Sequence, residues 1–188
     1  MPHLPLFLGR TIGSMQTLYT IGHSTRSIQE FVDLLTAHNI EELVDVRTIP
    51  GSRRYPQFGA EELAAALAEA GITYTYLKQL GGLRRPGKES PNTGWHNLSF
   101  RGYADYMATD AFQQGLQALS AIAGKHMTAI MCAEAVPWRC HRSLIADALT
   151  AQGWQVLHIL NKTTARLHKP TPFLVVQNGK LTYPAPES

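Results

Sequence analysis

Both cysteines of the chain fall in "IMCAEAVPWRCHRSLIADAL" (130–149), at the two ends of one short loop. Cys132 closes an apolar run. Cys140, His141 and Arg142 open a helical pattern, and Glu134 lies between them. At a helix N-terminus, backbone N–H groups and the helix dipole favour negative charge, so Cys140 can carry a lowered pKa, helped by Arg139 and Arg142. That suits a nucleophile or a redox thiol. The loop has the strand–loop–helix shape of cysteine-dependent phosphatases and sulfur transferases. It lacks their fixed cysteine-to-arginine spacing, since Arg142 lies two past Cys140 and ten past Cys132. Zinc is a second option, with Cys132, Cys140 and His141 as ligands and Glu134 or His158 as a fourth. The spacing matches no established zinc pattern, so no metal ligand is assigned. A reversible disulfide and the plain packing of two small apolar thiols stay open beside these.

Other stretches carry comparable chemistry. "GHSTR" (22–26) offers a turn glycine, Gly22, followed by His23 and Ser24, which can reach into a cleft or merely cap the helix that follows. Asp45 and Arg47 lie two apart on an extended run and share a face. Asp45 is either an acid/base group or the partner that orients Arg47. Arg53 and Arg54 precede Tyr55, Pro56, Gln57 and Phe58, and arginine forks suit phosphate or carboxylate. In "LGGLRRPGKESPNTGW" (80–95), Gly81 and Gly82 let backbone approach a ligand closely, as in an anion-binding or lid segment. Neither GxxxxGK[ST] nor GxGxxG occurs, so no recognised motif demands a cofactor.

Alternating strands and helices must position these groups. Strands are expected at 17–22, 42–47, 72–77, 126–133 and 154–160. Ser27 and Glu30 have capping-box spacing ahead of the first helix. That strand–helix–strand unit implies parallel pairing of its two strands through a right-handed crossover. "AEELAAALAEA" is a strong helix former ending at Gly71, Asp110 with Gln113 is placed to cap a later helix, and "RSLIADALTAQ" ends at Gly153. Residues 103–109 read as a short helix. Asn178–Gly179 between two β-prone runs signals a C-terminal hairpin. The expected fold is α/β, a three-layer sandwich around a mainly parallel sheet. In such sheets ligands bind outside the carboxyl ends of the strands, and every unusual loop of this chain leaves such an end.

The chain has 188 residues and 44% hydrophobic content, which suits one α/β domain over 15–188 with a real core. Residues 1–14 read as an N-terminal extension outside the fold, with Met15 a candidate start. Lys and Arg number 17 against 14 acids, a net +3 too small to indicate nucleic acid by itself. The distribution says more. Arg47, Arg53, Arg54, Arg84, Arg85, Lys88, Arg101, Arg139 and Arg142 fall in three loop-like stretches with only Glu89 and Glu134 among them. Two cysteines make no disulfide framework, and no run approaches the roughly 18 apolar residues of a membrane span. A reducing cytoplasm is the expected setting.

"YTIGHSTRSIQEFVDLL", "LVDVRTIPGSRRYPQF", "ITYTYLKQLGG" and "MCAEAVPWRCHRSLIADAL" resemble, in this order, the motifs of domain-of-unknown-function family 488 over about 18–158. The resemblance implies that Gly22, His23, Ser24, Asp45, Arg47, Arg53, Pro56, Gly81, Gly82, Cys132, Glu134, Cys140, His141 and Arg142 belong to the family pattern. The family's third block often has a histidine where this chain has Tyr76. The resemblance implies the α/β fold and no particular reaction.

Three functions fit these residues. The first is an enzyme acting on a phosphate-bearing ligand, a nucleotide or nucleic acid. Gly22, Ser24, Arg47, Arg53, Arg54, Gly81, Gly82 and Arg142 would then bind, and Glu134, Asp45, His23, Cys132, Cys140 or His141 would do the chemistry. The second is a non-enzymatic nucleic-acid module using the basic loops with Tyr55, Phe58, Trp95 and Tyr103. The third is a thiol or metal redox site at Cys132 and Cys140.

Overall fold

The computed structural model describes residues 15–51 and 53–186. The expectation for 1–14 lies outside these residues. Five strands run parallel: β1 (Thr17–Gly22), β2 (Glu42–Asp45), β3 (Thr73–Tyr76), β4 (Thr128–Cys132) and β5 (Gln155–Ile159). A short sixth strand, β6 (Ala165–Leu167), joins antiparallel to β5, which gives the sheet order β3-β2-β4-β1-β5-β6. The hairpin of β7 (Val175–Gln177) and β8 (Lys180–Thr182) forms separately, and its turn residues Asn178 and Gly179 both have positive φ, as a two-residue hairpin loop demands.

The strands alternate in side-chain direction and so feed two apolar layers. Leu43, Ala129, Met131 and Ile21 pack against Phe31, Val32 and Leu35 of α1 (Ile28–Ala37) and Leu63 and Leu67 of α2 (Ala60–Glu69). Val44, Ile130, Leu18 and Val156 face the other way. They meet Tyr103 of α3 (Leu98–Tyr106), Phe112 and Leu116 of α4 (Asp110–Ala123), and Leu144, Ile145 and Leu149 of α5 (Arg142–Ala151). The three-layer α/β sandwich with its C-terminal hairpin is therefore the observed fold. Among the described residues no helix is long and apolar enough to cross a membrane.

Some expectations need correction. β1 and β2 are parallel but not paired: β4 lies between them and bonds to both. The local unit fixes the direction of its strands, whereas neighbours are chosen by where later strands insert. β6 is missed because it is short and half exposed, with little apolar pattern. Thr109, not Asp110, caps α4, its hydroxyl accepting from the Phe112 N–H at 3.3 Å. The Ser27–Glu30 capping box forms as read.

The long 78–102 connection is held down, and its last part is already helix α3. Tyr103 and Tyr106 donate their hydroxyls to the carbonyls of Leu80 and Gln79 at 2.8 and 2.7 Å. Asp105 accepts from the Gly87 N–H, the Ser90 hydroxyl and the Asn92 amide. The Arg84 guanidinium lies 3.6 Å from the Tyr106 ring centroid. The segment is thus pinned along α3, which delivers Gly82 and Leu83 to the sheet's carboxyl edge.

Candidate functional site: a cleft at the carboxyl edge of the sheet

The chain leaves β1 and β2 toward one face, through α1 and α2, and leaves β4 toward the other, through α5. The connections around β4 therefore diverge and leave a crevice at its carboxyl end, the expected ligand position in such sheets. A cleft of about 610 Å³ opens there. His23, Ser24 and Thr25 line it after β1; Arg47, Thr48, Ile49, Gly51, Arg54 and Tyr55 after β2; Gly82 and Leu83 after β3; and Cys132, Ala133, Glu134, Ala135 and His141 after β4. Loops from four strand ends thus converge on one rim, as their position in the sequence implied.

The His23 ring stacks on Phe58, with centroids 4.2 Å apart, and is almost wholly buried. Its Nδ1 donates to the Ser24 carbonyl at 2.9 Å, made possible by Ser24's left-handed φ of 52°. Nε2 then carries the lone pair, and no described residue bonds to it. Burial is the main force that holds the imidazole below its usual pKa; Arg47 and Arg142 push the same way against the Ser24 bond and Asp45. A buried acceptor without a donor is costly.

Arg47 lines the cleft, but its charge is largely spoken for. Its Nε and Nη2 fork onto the Asp45 carboxylate, and its Nη1 donates to the Phe58 carbonyl at 2.8 Å. Asp45 lies fully buried behind it and also accepts the Tyr74 hydroxyl at 2.8 Å. Of the two readings for Asp45, the structure shows the orienting partner. Tyr74, which carries no sequence signal for this task, completes the arrangement.

Arg142 does not line the cleft. It is buried, donating from Nη1 to Thr20 Oγ1 at 3.1 Å and from Nη2 to the Glu134 carbonyl at 2.6 Å. Its work is to hold the loop after β4. Gly22 serves the same loop: a Cβ there would lie 1.7 Å from the Glu134 carbonyl oxygen and 2.6 Å from its carbon. We expect Gly22→Ala to cost about 3 kcal/mol by overpacking against backbone. Gly51→Ala, with nothing described within 4 Å of its Cβ, should change little. Equal midpoints for the two variants in urea unfolding would refute this.

Gly82 packs its backbone on the His141 ring, and Gly81 packs on Thr48 behind the rim. Arg53 is exposed and outside the cleft lining, while Arg54 is part of it, 5.6 Å from the Tyr55 ring. Of the residues named for nucleic-acid contact, Tyr55 lines the cleft; Phe58 and Tyr103 are core, and Trp95 stacks on Phe100 at 4.8 Å. His158 is remote from the thiols and bonds to Thr20 and His168 instead, which removes it as a partner for the cysteines.

Cys132 and Cys140 are both buried and free. Their sulfurs lie 4.0 and 3.7 Å from His141 Nδ1. Cys132 faces the main cleft, and both thiols border a smaller cavity of about 170 Å³ beneath Leu83. Burial raises the Cys140 thiol, but its neighbours Cys132, His141 and Arg142 outweigh it and hold it well below its usual range. Cys132 is pushed up, first by its bond to Cys140 and then by burial.

The comparisons with known proteins agree with this picture at the level of family. A family model described as domain of unknown function DUF488 matches residues 27–149, well over half of the chain, and the protein belongs to that family. No curated protein and no solved structure matches it.

Proposed function

We propose that the chain is an enzyme acting on a small phosphate-bearing molecule of nucleotide size, bound in the cleft at the carboxyl edge of the sheet. The observation that carries this reading is the buried His23 imidazole, whose Nε2 lone pair has no described partner. A ligand hydroxyl or N–H is the natural donor for it, and a proton accepted there is general-base chemistry. Glu134, exposed on the adjoining loop after β4, is the second acid/base group. Arg54, with the Arg47 edge beside it, faces the anionic part of the ligand. The volume favours a small molecule over a polymer, since about 610 Å³ lies within the range of small-ligand pockets.

Thermal melts against a panel of nucleoside mono-, di- and triphosphates and inorganic phosphate test this. A ligand at roughly 100 times its Kd adds about 2.7 kcal/mol, a rise of roughly 5–10 °C for a chain of this size. His23→Ala and Arg54→Ala should each abolish the rise; the exposed Arg54 variant should leave the ligand-free melt nearly in place, and the His23 variant should lower it, because the ring is buried against Phe58. No rise with any member of the panel, or a rise indifferent to both variants, would defeat the reading.

A further inference from the structure

The two thiols and His141 are arranged for more than packing. Cys132 Sγ, Cys140 Sγ and His141 Nδ1 all lie within 4.8 Å of one another. Around a tetrahedral zinc with Zn–S near 2.3 Å and Zn–N near 2.05 Å, sulfur and nitrogen stand about 3.6 Å apart and two sulfurs about 3.8 Å apart. The observed sulfur-to-nitrogen distances of 3.7 and 4.0 Å need a contraction of only a few tenths of an ångström.

Independent features of the surroundings favour a metal. His141 Nε2 lies 2.9 Å from the Val46 carbonyl, which can only accept, so Nε2 carries the hydrogen and the Nδ1 lone pair points at the sulfurs. That is the outer-shell bond by which ligating histidines are oriented. Two thiolates and a neutral imidazole around Zn²⁺ sum to no net charge, which a site this buried can hold.

We propose that Cys132, Cys140 and His141 form a zinc site with three protein ligands, whose fourth position opens into the cleft shared with His23 and Glu134. Thiolate sulfurs select zinc over the hard cations calcium and magnesium, and three protein ligands with one open position is the pattern of catalytic rather than structural zinc. The motif spacing hid this, because the ligands lie on either side of a short 3₁₀ turn, Pro137–Arg139, that folds Cys140 back onto the end of β4.

The site does not depend on the identity of the substrate, and the test separates the two. The full chain, purified without chelator and under reducing conditions, should carry about one zinc per chain by elemental mass spectrometry. Cys132→Ser, Cys140→Ser and His141→Asn should each lower zinc affinity by more than the roughly 10–100-fold that losing an outer-shell partner costs. Cobalt(II) bound to the unsubstituted chain should show sulfur-to-metal charge transfer and the intense visible bands of tetrahedral geometry, a result that needs no variant to fold. His23→Ala should keep its zinc, so a chain that binds zinc and no nucleotide retains this site while the substrate reading falls. A reduced chain that takes up no zinc, a weak octahedral cobalt spectrum, or iron or copper retained at the same residues would overturn the assignment.

Discussion

Asp45→Ala should cost about 3–5 kcal/mol of folding free energy, a fall of roughly 6–20 °C in melting temperature for a chain of this size. Asp45 is fully buried and Arg47 nearly so. The carboxylate accepts the Arg47 backbone N–H at 3.0 Å, the Nε at 2.9 Å, the Nη2 and the Tyr74 hydroxyl. Burial works against the Arg47 cation, but bonding to Asp45 outweighs it and raises its pKa. Removing the carboxylate leaves an uncompensated guanidinium and a phenol without an acceptor, and that loss is far larger than the net value of the pair. A double variant, Asp45→Ala with Arg47→Met, should recover part of the loss, because an apolar pair of similar volume carries no stranded charge. Arg53→Ala, exposed on the same loop, should stay within about 0.5 kcal/mol of the parent. A loss below about 1 kcal/mol for Asp45→Ala, or a double variant as unstable as the single losses summed, would show that the pair does not hold this corner.

The same corner explains what could be read in the sequence and what could not. Strand ends and helix caps are local: the Ser27–Glu30 box, the Asn178–Gly179 turn and the apolar period of α4 lie within a few residues of the groups they organise. The convergence of four loops follows from the parallel α/β pattern alone, and His23, Ser24, Arg47, Arg54, Gly82, Cys132, Glu134 and His141 do line one cleft. Direction within the loops is another matter. Arg47 and Arg142 read equally well as ligands for an anion. One is turned onto Asp45 and the other inward to Thr20, because in each case a buried acceptor lies a short reach away. Asp45 lies two residues from Arg47, so that pairing is legible as one of two readings, whereas Thr20 lies 122 residues from Arg142, which no spacing rule can see. The closeness of Cys132, Cys140 and His141 was hidden similarly, since it depends on the turn between them and not on their count.

Arg142 also ties the cleft to an acid-sensitive interior. Asp147 is a buried carboxylate that can only accept. It takes the His168 Nε2–H at 2.7 Å, the Thr171 N–H and hydroxyl, and the Tyr183 hydroxyl. His168 Nδ1 must then accept from His158 Nε2 at 3.0 Å, and His158 Nδ1 from the Thr20 hydroxyl at 2.7 Å. Thr20 accepts in turn from Arg142, which holds the Glu134 carbonyl. Every bond points the same way, toward Asp147, provided that His158 stays neutral. Burial first, then the neighbouring His168, Arg142 and Arg166, push the His158 pKa down to about 3, against a smaller pull from Asp147. In the unfolded chain it returns to about 6.5. Between these values the unfolded state binds the extra proton, so stability is greatest above pH 6.5 and falls as the pH drops toward 3. One group with this displacement contributes a slope of about 1.4 kcal/mol per pH unit, or about 2.7 kcal/mol between pH 6.5 and 4.5. Urea unfolding across that range should show the slope, and His158→Gln, which replaces the titrating ring with a neutral amide that can still donate toward His168, should flatten it. Identical slopes for the two proteins would remove His158 as the source. A matching result identifies His158 as the titrating group, whose protonation at Nδ1 takes away the acceptor that aligns the Thr20 hydroxyl beneath the buried Arg142 guanidinium.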